Sequence, residues 1–229
     1  MWGRWVERTP TADLARQAVA IALAVAAYGV TFGAMSRGAD GSLAQTAALS
    51  LFTLNGASQI AFVSVLVAGG SQAAALAAGF LLATRNSFYG LTVSQLISGP
   101  RWRRLVAAHL VIDESTAMAA SQPRGARAEA AFWLTGGAIF VGWNLGTLLG
   151  ANFDGTTLSP EAIGLDVAFP AAFVALLAPH LRRRPGREAA ATGASIAAVS
   201  LPLVPAGVPV LLATMAVGSA GRRRRSSRR

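Results

Sequence analysis

Apolar residues in this chain fall in long blocks separated by short polar or arginine-bearing stretches. That is neither the period-2 alternation of half-buried strands nor the one-sided stripe of soluble helices. Eight blocks can be drawn, at residues 17–36, 43–68, 72–97, 105–121, 130–151, 161–180, 189–205 and 206–220. With a helical rise of 1.5 Å per residue, about 20 residues cross a hydrocarbon core. The second and third blocks exceed that length and are expected to tilt, kink or break. The last two are short and share Pro202, Pro205, Gly207 and Pro209, the makings of a broken hairpin that does not fully cross. The pattern predicts an all-α, polytopic transmembrane helix bundle with 7–8 apolar segments, some broken or re-entrant. Residues 1–221 form a single integral-membrane domain in this reading. Residues 222–229 form a basic cytoplasmic tail, expected to be disordered and suited to anionic lipid headgroups.

Composition agrees. The 229 residues are 53% hydrophobic and only 13% charged, against about a quarter charged in soluble domains. The net charge is +10, and all 20 basic residues are Arg. A basic chain suggests nucleic acid, but the arginines lie between apolar blocks with no aromatic interleaving, as in cytoplasmic loops. Nucleic-acid binding is therefore not expected. Without Cys, disulfides and thiolate metal sites are excluded, and two His in separate blocks make a poor metal site. Neither a metal nor a cofactor is expected. Arg4, Arg8 and Arg16 ahead of an apolar run resemble a signal peptide, but the run 18–35 is longer than a typical h-region and no clear cleavage site follows. It reads as a retained first helix.

Arginine placement bears on orientation. Eight spans with an internal N-terminus put fifteen arginines inside and four outside; a re-entrant 105–121 would put sixteen inside and three outside. Either way the C-terminus is cytoplasmic, while the side of the N-terminus and the choice between seven and eight spans stay open. Gly29 and Gly33, and the series Gly142, Gly146 and Gly150, give small faces for close helix packing. Packing within the chain is favoured over a dimer seam. No internal repeat is evident.

The candidate chemistry lies in polar residues within apolar blocks. Asn55, Gly56, Ala57, Ser58 and Gln59 interrupt the second block. A broken membrane helix leaves N–H and C=O groups that only protein, a cavity or a ligand can satisfy, and such breaks bind substrate in transporters. Interhelical bonding that only holds the bundle together explains the same residues. Arg85 stands midway in the third block, where a basic residue costs about 2.5–3.5 kcal/mol to insert. The fourth block holds His109, Asp113 and Glu114. His109 and Asp113, four apart, would share one helical face, with Glu114 turned about 100° away. Arg85 is expected to pair with Asp113 or Glu114, leaving the other carboxylate as a candidate proton carrier; a purely structural ion pair is the plainer alternative. Asp166, beside Pro170, is either interfacial or turned into the same cavity. No nucleophile–base set, P-loop, H-E-x-x-H or dinucleotide fingerprint occurs, so an enzyme is not expected.

In order along the chain, these stretches resemble the AzlC family, the large subunit of bacterial branched-chain amino acid exporters. The resemblance is carried by Tyr28-Gly29-Val30-Thr31-Phe32-Gly33-Ala34, Asn55-Gly56-Ala57-Ser58-Gln59, Ile112-Asp113-Glu114-Ser115, Trp143-Asn144-Leu145-Gly146-Thr147 and 164–173, over roughly residues 18–180. There is a departure. Where the family reads Asn-x-Arg-His in its third helix, Arg85 is kept, but Ala83 and Asn86 occupy the other two places.

The resemblance implies export of hydrophobic amino acids (valine, leucine, isoleucine, with methionine a further candidate) from the bacterial inner (plasma) membrane. It also implies a small AzlD-type membrane partner. The residues are compatible with a proton-linked exporter. Asn55, Gly56, Ser58, Gln59, Arg85 and Asn86 are the candidate substrate-binding residues; Asp113, Glu114, His109 and Asp166 are the candidates for proton coupling. A non-transporting membrane scaffold is the alternative from another class.

Overall fold

A computed structural model describes residues 11–153, 178, 181–182, 184–204 and 208–213. Among these, every regular element is helical: α1 (Thr11–Gly38), α2 (Leu43–Thr53), α3 (Gly56–Val67), α4 (Gln72–Val93), α5 (Arg101–His109), α6 (Asp113–Ala120), α7 (Ala126–Ala151), α8 (Arg184–Ser200) and α9 (Val208–Ala213). Two helical stretches, Ala12–Gly38 and Ala126–Ala151, are long and apolar enough to cross a membrane. The α4 helix has the length, at 22 residues, but its polar stretch 84–87 lowers its apolarity. The other described helices are shorter, so the expectation of 7–8 spans goes beyond what they establish. Asp166, with nearly all of the sixth apolar block, lies outside the described residues.

The blocks divide more finely than hydropathy suggests. Residues 43–68 become two helices separated at Leu54 and Asn55. The expected interruption over 55–59 is thus narrower, and Gly56 through Gln59 are helical. The fourth block is not one helix either: α5 ends at His109, and α6 begins at Asp113. His109 and Asp113 therefore do not share a helical face, because the chain leaves the helix between them. Arg101, Arg103 and Arg104 belong to α5, and Arg184 and Arg187 to α8, rather than to loops. At the C-terminal end α8 is followed by a turn through Pro202 and by α9, which packs on α8 and touches α4.

An order unseen in the sequence emerges: a broken helix, a connection, then a long helix, twice over, in α2–α3–α4 and α5–α6–α7. The first helix, α1, lies along α7, and the glycines explain how closely. A Cβ at Gly29 would sit 2.7 Å from the Trp143 carbonyl oxygen, and one at Gly142 2.9 Å from that of Ala22. At Gly33, Gly146 and Gly150 it would collide with the carbonyls of Thr147, Ala26 and Val30. These small faces serve packing within the chain.

The interior is a mixed one. Phe32, Leu54, Val63, Leu110, Phe132 and Trp143 form its apolar centre, while Thr31, Thr46, Ser50, Thr135 and Thr147 are each no more than 2% exposed. The outside carries bare Leu23, Phe52, Phe80, Phe88, Leu91 and Leu145. Small polar residues inside and large apolar residues outside reverse the usual soluble pattern and suit a lipid surround, in which buried hydroxyls hold helices together.

Candidate functional site

The break between α2 and α3 is closed by side chains. Asn55 caps α3, its Oδ1 accepting the Ser58 N–H at 3.2 Å, and its own carbonyl accepts the Gln59 N–H at 3.0 Å. Gln59, 1% exposed, donates from Nε2 to the Leu49 carbonyl near the end of α2 at 3.0 Å. Its Oε1 accepts the Trp143 indole N–H at 2.9 Å. Gly56 has no Cβ because Trp143 occupies the space: a Cβ there would lie 2.7 Å from the indole Cη2. Trp143 in turn stacks on Phe32 with centroids 5.8 Å apart. Beside it, Ser50 Oγ lies 2.8 Å from Asn144 Oδ1 and 3.1 Å from Thr147 Oγ1. Two buried polar atoms at this break have no partner among the described residues, Asn55 Nδ2 and Ser58 Oγ.

The second break, at Leu110, Val111 and Ile112, is closed by Ser115, which is fully buried. Its hydroxyl donates towards the Leu110 carbonyl at 2.6 Å and accepts the Ile112 N–H at 3.2 Å. From α4, Asn86 Nδ2 donates to the Val111 carbonyl at 2.9 Å. The ties cross over: α4 of the first unit reaches the second break, and α7 of the second unit reaches the first. The spacing matches, since Asn86 follows the cap Asn55, and Trp143 the cap Ile112, by 31 residues (86 − 55 and 143 − 112). Leu54, Leu110, Val111 and Ile112 share one apolar cluster with Trp143, so both breaks enter the same core.

Arg85 meets Asp113, with Nη2 and Oδ2 at 2.7 Å. Both side chains are partly open, 35% and 24% exposed, so the pair lines an open face rather than a sealed core. On the next turn of α4, Tyr89 sets its hydroxyl against the same carboxylate. Glu114 forms no ion pair among the described residues. Among the described residues, further polar atoms stand buried without partners at Arg85 Nε, Asn86 Oδ1, Thr116 Oγ1 and Thr135 Oγ1.

Most of the residues singled out by sequence therefore gather at two helix breaks. His109, the last residue of α5, adjoins the second break, but its ring packs edge-on against Phe140 at 5.7 Å. Trp143, Tyr89 and Ser115 were not among the expected site residues. The clue for Trp143 was an indole donor followed by Asn144 in an apolar helix, where both polar groups need partners. No cluster of His or carboxylates able to hold a metal occurs among the described residues.

No curated protein and no solved structure matches the chain. One family model, described as AzlC protein, matches residues 20–156, a span that takes in both breaks, Arg85, the Asp113–Glu114 pair and Trp143. Covering more than half of the chain, that match makes this protein a member of the AzlC family.

Proposed function

We propose that this protein is the large membrane subunit of a proton-linked exporter of branched-chain amino acids, with methionine as a further substrate. Family membership points to a membrane-transport role. The observation that carries the finer reading is the pair of helix breaks entering one apolar core, with unpartnered buried polar atoms at both. Each such atom costs about 1–3 kcal/mol when buried alone, so a ligand or water that bonds to it gains by binding there. A hydrophobic zwitterion needs hydrogen-bond donors for its carboxylate, acceptors for its ammonium and an apolar wall. The first break offers donors, the second offers Asn86 Oδ1 and Glu114, and Trp143 with Phe32 supplies the wall.

In this reading Asp113 holds Arg85, and Glu114, free of an ion pair, carries the coupled proton. The protein works by binding and conformational exchange, not covalent chemistry. It acts with a small AzlD-type subunit in the bacterial inner membrane, with its C-terminus in the cytoplasm. Co-expression of both subunits should lower intracellular valine, leucine and isoleucine, and a Glu114→Gln variant should abolish the response to a pH gradient in proteoliposomes. Unchanged amino acid pools, together with no counterflow in proteoliposomes, would instead favour a non-transporting scaffold.

A further inference from the structure

The donors around the first helix break do not balance. In the first turn of α3 the Ser58 and Gln59 N–H groups bond to Asn55, which leaves those of Gly56 and Ala57 as the open donors that every helix start presents. Asn55 Nδ2 and Ser58 Oγ stand beside them without partners, on residues only 5% and 4% exposed. A capping interaction explains Asn55 Oδ1 but not Nδ2, and nothing in the packing uses the Ser58 hydroxyl. Four donors thus lie in the cap and first turn of one helix, where the backbone dipole favours negative charge. Of the two other candidate donor groups, one is engaged and one only in part. Gln59 is bonded at both ends of its amide, while the Arg85 guanidinium is held by Asp113 through Nη2 and keeps its Nε unpartnered.

We infer that the N-terminus of α3, with Asn55 Nδ2 and Ser58 Oγ, is the subsite that takes the carboxylate of the substrate. The inference rests on the transport reading for the identity of the substrate, but the subsite itself is defined by its donors. A carboxylate is the ligand chemistry that fits: it is anionic, acceptor-only, and accepts several hydrogen bonds at once. The indole of Trp143, in contact with Gly56 and stacked on Phe32, walls the position with an apolar face, so the carboxylate should belong to a molecule with a hydrophobic body. Ligands in which the carboxylate is replaced should then be refused, whatever their side chain.

The test uses the full chain, purified, in two assays. In proteoliposomes containing the protein and its small partner, labelled leucine is exchanged against unlabelled leucine, leucinamide and leucinol. In detergent, thermal unfolding is followed with leucine and with isovalerate, a branched carboxylate without an amino group. Leucine should compete, and leucinamide and leucinol should not. Ser58→Ala should raise the half-saturation concentration by about tenfold to a hundredfold with the maximal rate kept, as expected for one hydrogen bond to a charged group. Asn55→Asp keeps the capping oxygen, Asp being an equally good cap, but sets a negative charge in place of the donor. It should fold with wild-type stability and lose leucine binding.

Competition by leucinol equal to that by leucine, or wild-type half-saturation in both variants, overturns the subsite. A wild type that exchanges no amino acid, yet is stabilised by isovalerate in a manner lost in Asn55→Asp, overturns the transport reading and leaves the subsite standing. Absence of stabilisation by both ligands overturns the subsite itself.

Discussion

Trp143 and Gln59, 84 positions apart, are joined by a hydrogen bond of 2.9 Å from the indole N–H to the amide oxygen. The same amide holds the Leu49 carbonyl through its nitrogen. One side chain therefore ties α7 across the first helix break to the end of α2. Trp143→Phe keeps the ring over Gly56 but strands the Gln59 oxygen, an expected cost of about 1–3 kcal/mol. Gln59→Leu frees the indole and a carbonyl together and should cost more. Chemical denaturation in detergent micelles, comparing each variant with wild type, measures both.

The Arg85–Asp113 bridge should behave as a couple. Arg85→Gln alone or Asp113→Asn alone leaves an unpaired, partly buried charge, and each should reduce the amount of folded protein in the membrane. Because both side chains are about a quarter to a third exposed, the loss should be well short of the about 3–5 kcal/mol seen on breaking fully buried pairs. The double variant should recover most of the stability. Quantitative blotting of membranes, with thermal unfolding of the purified proteins, reads the cycle; additive losses would mean that the two do not act as a pair.

Glycines in α7 should divide by what faces them. Gly150→Ala and Gly146→Ala drive a methyl into the carbonyls of Val30 and Ala26. The α1–α7 contact must then open, with severe loss of folded protein expected. Gly137→Ala meets nothing within 4 Å and should be neutral or stabilising by about 0.5–1 kcal/mol, from helix propensity. Thermal unfolding of the three purified proteins separates the two outcomes.

Asn86 stands where the resemblance leads to the expectation of His, and its bond is one that either side chain can make. A neutral imidazole also carries one N–H donor with which to reach the Val111 carbonyl, now bonded at 2.9 Å. Asn86→His should retain folding, whereas Asn86→Leu strands the carbonyl and should destabilise by about 1–3 kcal/mol. Melting curves of the two variants check this, and equal melting temperatures would remove Asn86 from its tying role.

Hydropathy and composition by themselves determined the helical class, the apolar exterior and the places where polarity would be concentrated. Solvation is a property of residue type, so Arg85 and Asp113–Glu114 were conspicuous, and their mutual attraction followed from the cost of leaving either alone. The break near Asn55 was legible because an amide cluster with Gly rarely suits a membrane helix interior.

What only the tertiary structure decided depends on partners distant in the chain. Periodicity placed His109 and Asp113 on one face, but Ser115 and Asn86 satisfy the backbone at 110–112 and let the helix end there. Trp143 has no local pattern announcing that it reaches back to Gln59. The repeat of broken and long helices escaped notice because it is shared geometry with little shared sequence. Gln59 looked available as a single residue, and the folded chain engages both ends of its amide. The groups left open, Asn55 Nδ2 and Ser58 Oγ, become visible only when every other hydrogen bond has been assigned, since an unsatisfied atom is defined by its surroundings and not by its residue type.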